Sequence, residues 1–496
     1  MRQLLRAGIC VAISLSAVPA WASSDRFSAA RALIQEQITE KNIPSIAVAV
    51  VQDGKIVWEE GFGWADRENR VPATEHTMYS LASLSKSFTS TGLMTLVQAG
   101  KVDLDRPVND YLGEAQLTVR IGDGNQATVR RVGNHTSGIP GAGQTFFGTE
   151  ELSHMPPQVL ALQRYAQIMK PPGERFEYSN VGYGVLDYLI AHVSGRSYAD
   201  YLRQEVFIPL GLTHTSVDIG PGLEKHAAVR YDRLGDPIPF YNHTEPGSAS
   251  VYSSAHDLAR FGLFIMKDRQ RDQKAILSNA SIDEMMRAPI MVRPGNGYAF
   301  GWQVQAKGGY TVQGHGGSSN GVKTFFNMIP EKRVGVVLLA NANDIGFGPI
   351  SLAIFKALLP QWREVGTDLN VRDAAPDEPL KPDSSLLGDW SGNIQTHEGA
   401  QPMKLQILAS GDIHLQIADQ LPTLLSQAAF RNGLLSGVAP ALIETSDTRR
   451  SPHTVDVALQ LRDGVLNGYV RASAEDKSRQ FWIYSLPYWT ELRRSQ

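Results

Sequence analysis

Ser83-Leu84-Ser85-Lys86 places a hydroxyl and an amine three residues apart at the entrance to an apolar-patterned helix. Residues at that spacing are neighbours on one helix face. A serine is a poor nucleophile until a base takes its proton, and a partly buried lysine with a lowered proton affinity can do so. The helix start adds unpaired backbone N–H groups near the seryl oxygen, which favour developing negative charge. Beneath the pair, Leu84, Phe88, Gly92 and Leu96 form an i, i+4 row of the kind that faces a core. Alone, such a pair is usually a solvated surface feature, so the weight falls on its company.

Two further groups keep it company. Tyr178-Ser179-Asn180 follows Pro171-Pro172-Gly173 and precedes an apolar helix over 181–193 that Gly195 should end. A phenol beside a lysine can give up its proton and act as base, and an asparagine amide can hold a substrate carbonyl or amide. The same tripeptide also reads as a packed tyrosine with a capping asparagine. Gly314-His315-Gly316-Gly317-Ser318 lies between two strand signals. Its glycines permit close approach by a substrate and leave an N–H to face an oxyanion, with an ordinary glycine-rich turn as the alternative.

A mixed framework must position these groups. Residues 45–51 and 56–63 flank Asp53-Gly54 and read as a hairpin. The serine helix should stop at Gly100, and Ser254-Ala255-His256-Asp257 before Leu258 has the form of a capping box. Strand signals return at 301–302, 310–313, 322–329 and 334–340, followed by a helix over 349–359. Strands at both ends of a helical middle predict an α+β unit. Its antiparallel sheet would be assembled from both ends of the segment, flanked by helices, with a helical lobe between. After a polar, proline-bearing stretch over 366–385, short segments at 405–408, 413–417, 455–461, 466–470 and 481–486 predict an all-β module, a small barrel or sandwich.

The chain's first residues read as a secretory signal. Arg2 and Arg6 precede an apolar core, and Ala20-Trp21-Ala22 offers a small-x-small cleavage site. The organisation is then a leader over 1–22, a first domain over 23–365, a linker over 366–385 and an all-β domain over 386–496. Cleavage would remove Cys10, the one cysteine, which excludes disulfides and thiol chemistry from the mature chain. It would also take the formal charge from −3 to −5. No basic run interleaved with aromatics appears, which argues against a nucleic-acid partner. No later stretch is long and apolar enough to span a bilayer, so a periplasmic or secreted protein with no stable membrane span is expected.

Taken in order, Ser83/Lys86, Tyr178/Asn180 and His315-Gly316-Gly317 resemble the S-x-x-K, Y-x-N and K-T-G or H-x-G motifs of one family of serine acyl hydrolases. That family contains class C β-lactamases, low-molecular-mass penicillin-binding proteins, D-aminopeptidases and β-lactamase-like esterases. Asn134-His135-Thr136-Ser137-Gly138, Pro209-Leu210-Gly211 and the 254–259 segment agree as well, and the likeness spans 27–362. The resemblance implies that Ser83 forms an acyl-enzyme, that Lys86 and Tyr178 share the proton transfers, and that Asn180 orients the substrate amide and Lys86. It further implies an oxyanion hole from the N–H groups of Ser83 and Ser318, no metal and no organic cofactor. The substrate would be a small molecule or peptide, cell-wall-derived material included.

His315 stands where class C β-lactamases carry lysine, a permanent cation suited to a substrate carboxylate, whereas histidine is mostly neutral near pH 7. That departure favours esters, amides or D-amino-acid peptides over the alternatives, a β-lactamase or D-Ala-D-Ala carboxypeptidase. A non-hydrolytic binder of peptidoglycan fragments is a reading of another class. Gly317-Ser318-Ser319-Asn320-Gly321 also satisfies G-x-S-x-G, but that motif needs a strand–turn–helix setting, and 322–329 reads as strand. His135, His192 and His256 read as structural. Leu387-Gly388-Asp389-Trp390-Ser391-Gly392 is reminiscent of lipocalin-like barrels appended to β-lactamase-like peptidases. Such a module could carry a ligand, cover the cleft or make an oligomer contact; the oligomeric state stays open.

Overall fold

Asp53 and Gly54 both take left-handed φ values, 51° and 79°, and so reverse the chain tightly between Ser45–Gln52 and Lys55–Asp66. The computed structural model that shows this describes residues 25–287, 290–363, 382 and 384–495. The proposed leader, and the proposed linker apart from a few residues, lie outside the described residues.

The hairpin forms one half of a nine-stranded antiparallel sheet. In spatial order its strands are Val71–Pro72, Lys55–Asp66, Ser45–Gln52, Val334–Ala340, Val322–Ile329, Tyr310–Ser319, Gln303–Lys307, Asn296–Tyr298 and Ile290–Arg293. The two ends of the segment meet where Val48 opposes Leu338. Ser45–Gln52 is buried on both faces. Ala47, Ala49 and Val51 join the core that holds Phe88 and Phe261, while Ile46, Val48 and Val50 face the core formed with helices Ser28–Thr39 and Phe347–Leu358. A period of two therefore distributes apolar side chains to both layers, as a doubly covered strand requires.

The serine helix, Ser85–Gln98, is enclosed between this sheet and the helical lobe. Leu84, Phe88, Gly92 and Leu96 are all buried, and Phe88 stacks on Phe261 of helix Ala255–Ile265 at 4.2 Å. Gly92 is the closest-packed of the row, since a Cβ there would lie 2.4 Å from Leu202 Cδ2. Gly100 ends the helix with φ 69°.

Three local expectations need correction. Gly301-Trp302 is a bend rather than strand, because Gly301 has φ 81° and a Cβ there would fall 2.2 Å from Ser90 Oγ. Residues 314–318 lie within the strand Tyr310–Ser319, not in a turn. Their pairing with Val322–Ile329 is continuous, and Gly317 is small because Leu81 O lies 2.2 Å from where its Cβ would be. Ser254 does cap its helix by accepting from Asp257 N, but the Asp257 carboxylate turns away to His214 N and Thr215 Oγ1, so the box is not reciprocal.

The C-terminal module is a nearly closed barrel. Its nine strands run in the order Thr423–Leu424, Ile413–Ile417, Gly399–Ile407, Gly388–Thr396, Phe481–Arg494, Val465–Asp476, Thr454–Arg462, Leu434–Ala439 and Ser426–Arg431. The sheet's two ends meet at Leu425, whose N–H donates to Ile413 O at 2.8 Å. Trp390, Leu405, Leu415, Leu435, Leu459 and Leu466 fill the interior. The long strand Phe481–Arg494 also leaves the barrel at its start. Tyr484 and Ser485 pair with Gln144 and Gly143 of strand Gly143–Phe147, which in turn pairs with Tyr241–His243. One sheet thus runs from barrel to helical lobe.

Candidate active site

Ser83 lies in a single 3-10 turn, Ala82–Leu84, immediately before the α-helix rather than within it. The turn is held on both sides. Leu81 N donates to Val251 O at 2.8 Å, and Thr324 Oγ1 donates to Leu81 O at 3.1 Å. Ala82 has φ 46°, a left-handed value that costs a non-glycine residue about 1–2 kcal/mol. Strain next to a reactive side chain persists only when the surroundings over-determine it. Here the histidine strand supplies that constraint, for a Cβ on Gly317 would lie 3.1 Å from Ala82 Cβ.

Lys86 is fully buried one helical turn on. Its Nζ donates to Asn180 Oδ1 at 2.8 Å and to Ser248 O at 3.0 Å. It also lies 4.8 Å from the centre of the Tyr178 ring. Burial lowers its pKa to about 7, with the charge of Glu245 acting in the opposite sense. An amine in this state can accept a proton near neutrality.

Ser179, not Asn180, caps the second helix, Asn180–Ser194, by accepting from Gly182 N at 3.0 Å. That division leaves the Asn180 amide free to bind Lys86. Tyr178 hydrogen-bonds Ser83, and burial raises its phenol above the ordinary value despite that bond. It is therefore a neutral hydroxyl near pH 7, suited to relaying a proton rather than to removing one unaided.

His315 is buried, and both its nitrogens are engaged within the protein. Gly316 O can only accept, so Nδ1 donates to it at 2.6 Å, and Nε2 accepts from Tyr298 Oη at 3.0 Å. Burial, helped by Lys86, lowers its pKa to about 3. The ring is neutral, as the sequence suggests, but it has no spare nitrogen for a substrate. Gly316 and Gly317 bring the strand beside Ser83, and the side chain of the neighbouring Ser318 is exposed. Ser319 ends its strand at a turn into another strand and receives a hydrogen bond from Tyr241 Oη at 3.2 Å.

Several residues that the sequence did not single out join the site. His135, read as structural, accepts from Ser179 N at 3.1 Å and lies 4.4 Å from the Tyr178 ring. Its Nε2 is buried with no hydrogen-bond partner among the described residues. Glu245 is buried at the edge of the turn that carries Ser248, and burial raises its pKa to about 7 while Thr244, then Lys86, oppose that rise. Asp187 is buried beside it and accepts from Gly247 N at 2.5 Å. The other two histidines stand apart: His192 stacks on Tyr188, and His256 Nδ1 lies 2.7 Å from Glu59 Oε2. Among the described residues no group of His, Cys, Asp and Glu could hold a metal ion.

The barrel reaches the site from above. Tyr469 Oη donates to Glu177 at 2.5 Å, next to Tyr178, and Lys170 pairs with the same carboxylate. Arg471 extends toward Gly141 and is paired with Asp456 at 3.1 Å. Trp482 stands over Gly143, and its backbone N and O bond the Asn320 side chain at 2.8 and 3.0 Å.

Residues 30–358 match the family model described as Beta-lactamase, and the chain belongs to that family. Its members are generally serine hydrolases, although some are non-catalytic. Among curated relatives, Protein flp of Staphylococcus aureus (strain MRSA252) is 26% identical over 317 residues, 63% of this chain and 62% of that protein. Unguisins hydrolase ungD' of Aspergillus campestris (strain IBT 28561) is 28% identical over 330 residues, 62% of this chain and 60% of its own. The chain thus spans about three fifths of the curated relatives it matches. An octameric penicillin-binding protein homologue from Pyrococcus abyssi shares the fold over 92% of this chain and 99% of its own (TM-score 0.58, 23% identity). A structure of SurE with D-Leu does so over 95% and 99% (TM-score 0.61, 21% identity). A class C β-lactamase matches 68% of this chain and 97% of its own (TM-score 0.55, 22% identity).

Proposed function

We propose that the protein is an exported serine hydrolase, periplasmic or secreted, that cleaves esters, amides or D-amino-acid peptides through an acyl-enzyme on Ser83. One observation carries the reading: a fully buried lysine, near-neutral in its proton affinity, is held by Asn180 and Ser248 one turn from the serine. In the first half-reaction Ser83 Oγ attacks the substrate carbonyl carbon and its proton passes to Lys86 Nζ. The N–H groups of Ser83 and Ser318 stabilise the oxyanion. The tetrahedral adduct expels its leaving group, which takes a proton through the Tyr178 hydroxyl and Lys86. Water then attacks the acyl-Ser83 ester with the same groups in reverse.

The choice of substrate class rests on His315. Its pKa, lowered to about 3, leaves no fixed charge at a position where a lysine would attract a carboxylate. The likeness over almost the whole chain to SurE, solved with D-Leu, supports D-residue amides or peptides within that class. A panel of p-nitrophenyl esters, D-aminoacyl anilides, D-Ala-D-Ala peptides and nitrocefin tests it. Turnover of D-residue amides or esters with slow nitrocefin hydrolysis is the expected result. Nitrocefin turnover rivalling the best ester or amide would overturn the substrate class.

A further inference from the structure

Glu245 has no arginine or lysine within salt-bridge distance among the described residues, yet it is only 2% exposed. Thr244 Oγ1 donates to its Oε2 at 2.6 Å. Its side chain fills space left by two glycines: a Cβ on Gly143 would fall 2.3 Å from Oε1, and one on Gly184 would fall 2.7 Å from Glu245 Cβ. The same imagined Cβ on Gly143 would lie 2.8 Å from Trp482 Cη2, so the indole of the barrel and the carboxyl of the catalytic lobe meet over one glycine. On its other side the backbone leads straight to Lys86. Ser248 N donates to Glu245 O at 3.0 Å, and Ser248 O accepts from Lys86 Nζ at 3.0 Å.

We propose that Glu245 is a positioning residue whose charge, acting through space across the Ser248 turn, governs whether Lys86 holds its proton, and that Trp482 of the barrel keeps its carboxyl dry. This rests on Lys86 being the base that activates Ser83. The pair is neutral overall in two arrangements, ammonium with carboxylate or amine with carboxylic acid. Only the second presents a free amine to the seryl proton, and water exclusion favours it because neither group then carries a charge. Each group's shift has the matching cause: burial lowers Lys86 and raises Glu245, and each opposes the other's shift through its charge. Other titratable or charged groups around the carboxyl are Asp187 on the second helix, His243 on the neighbouring strand with Arg230 behind it, Tyr178 across Lys86, and Arg450 on Gln144. Asp187 and His243 are both shifted toward their neutral forms by burial, and among the charged groups nearby Lys86 is the one whose charge opposes the rise of Glu245.

The pH dependence of Ser83 phosphonylation by a fluorophosphonate, followed by intact-protein mass spectrometry on the full chain, tests this. In that step the Oγ–P bond forms, fluoride leaves and the seryl proton goes to Lys86. Glu245→Gln removes the carboxylate that holds the ammonium, so the acid limb should move to lower pH by about one unit. Thr244→Val, which removes only a bond that stabilises the anion, should move it the same way by less, and serves if Glu245→Gln does not fold. Trp482→Ala hydrates the carboxylate, keeps Lys86 protonated and should move the limb to higher pH. In the Glu245→Gln background the Trp482 effect should vanish. Rates lowered at every pH with the limb unmoved would overturn the proposal, as would a Trp482→Ala shift that persists in the double variant. Absence of labelling at Ser83 in the natural protein would instead overturn the role of Ser83 itself.

Discussion

The Asn320 side-chain amide closes a two-bond ring with the backbone of Trp482, accepting from its N–H at 2.8 Å and donating to its carbonyl at 3.0 Å. Asn320 follows directly on the strand that borders Ser83, whereas Trp482 begins the barrel's longest strand. Substituting Asn320 by alanine leaves a part-buried donor and acceptor of Trp482 without these partners, and the two lost bonds are worth about 0.5–1.5 kcal/mol each. A lowered unfolding temperature with earlier proteolytic release of the barrel is the expected result, measured by calorimetry and limited trypsin digestion. An unchanged digestion pattern would show that the strand pairing at Gly143-Gln144 suffices.

Ser83→Ala should abolish fluorophosphonate labelling and turnover while leaving the unfolding temperature within a degree or so, because the hydroxyl is half-buried and anchors none of the bonds that hold its turn. Ser85, whose Oγ accepts from Val251 N, and Ser319 should be dispensable for labelling. Full labelling of the Ser83→Ala protein would refute the assignment.

Lys86→Ala and Tyr178→Phe should each reduce acylation about 10²–10⁴-fold, and the double variant should lose little more, since both act on one proton. Stopped-flow acylation rates for the three variants decide it. Losses that multiply would mean that the two groups act independently.

His315→Lys is expected to destabilise the protein rather than to create a β-lactamase. It removes the acceptor of Tyr298 Oη and sets a second cation near Lys86, in a position that is 2% exposed. A fall in unfolding temperature together with no gain in nitrocefin hydrolysis is the expected outcome. A large gain in that activity would show that the strand can open a carboxylate site.

The surface pair Glu59–His256 gives a pH-dependent contribution to stability. Its hydrogen bond to His256 lowers Glu59, and the same bond to Glu59 raises His256. The glutamate contribution is present above its ordinary value of 4.5 and is lost as pH falls through the lowered one. The histidine contribution is present below 6.5 and is lost as pH rises through the raised one. Glu59→Gln should therefore destabilise most near pH 5.5, about midway between the two, and less at pH 8.5. A pH-independent cost in urea unfolding would contradict this.

Short-range patterns were legible wherever one element decides the outcome. Asp53-Gly54, Gly100 and Gly195 mark their turns and helix ends because left-handed backbone is local, and 413–417 reads as strand because its alternation is complete within five residues. Ser83, Lys86, Tyr178 and Asn180 could be found because their spacing is itself the signal. Glu245, Asp187 and His135 could not, since what makes them part of the site is desolvation by helices and strands distant in the chain. The glycines of 314–317 left a turn open as an alternative for a related reason: Gly317 is small to admit Leu81 O and Gly314 to admit Phe326 O, contacts that the sequence does not display.

The strand Phe481–Arg494 lies in the middle of the barrel sheet and also pairs with Gly143–Phe147 beside the site. Without it the barrel would lack its central rung and Glu245 the indole above it. The nucleophile, base and amide are all present by residue 180, yet their surroundings are completed some three hundred residues later. The catalytic motifs alone therefore do not make the finished site, and a chain cut before Trp482 should be labelled more slowly at Ser83 despite an intact catalytic sequence.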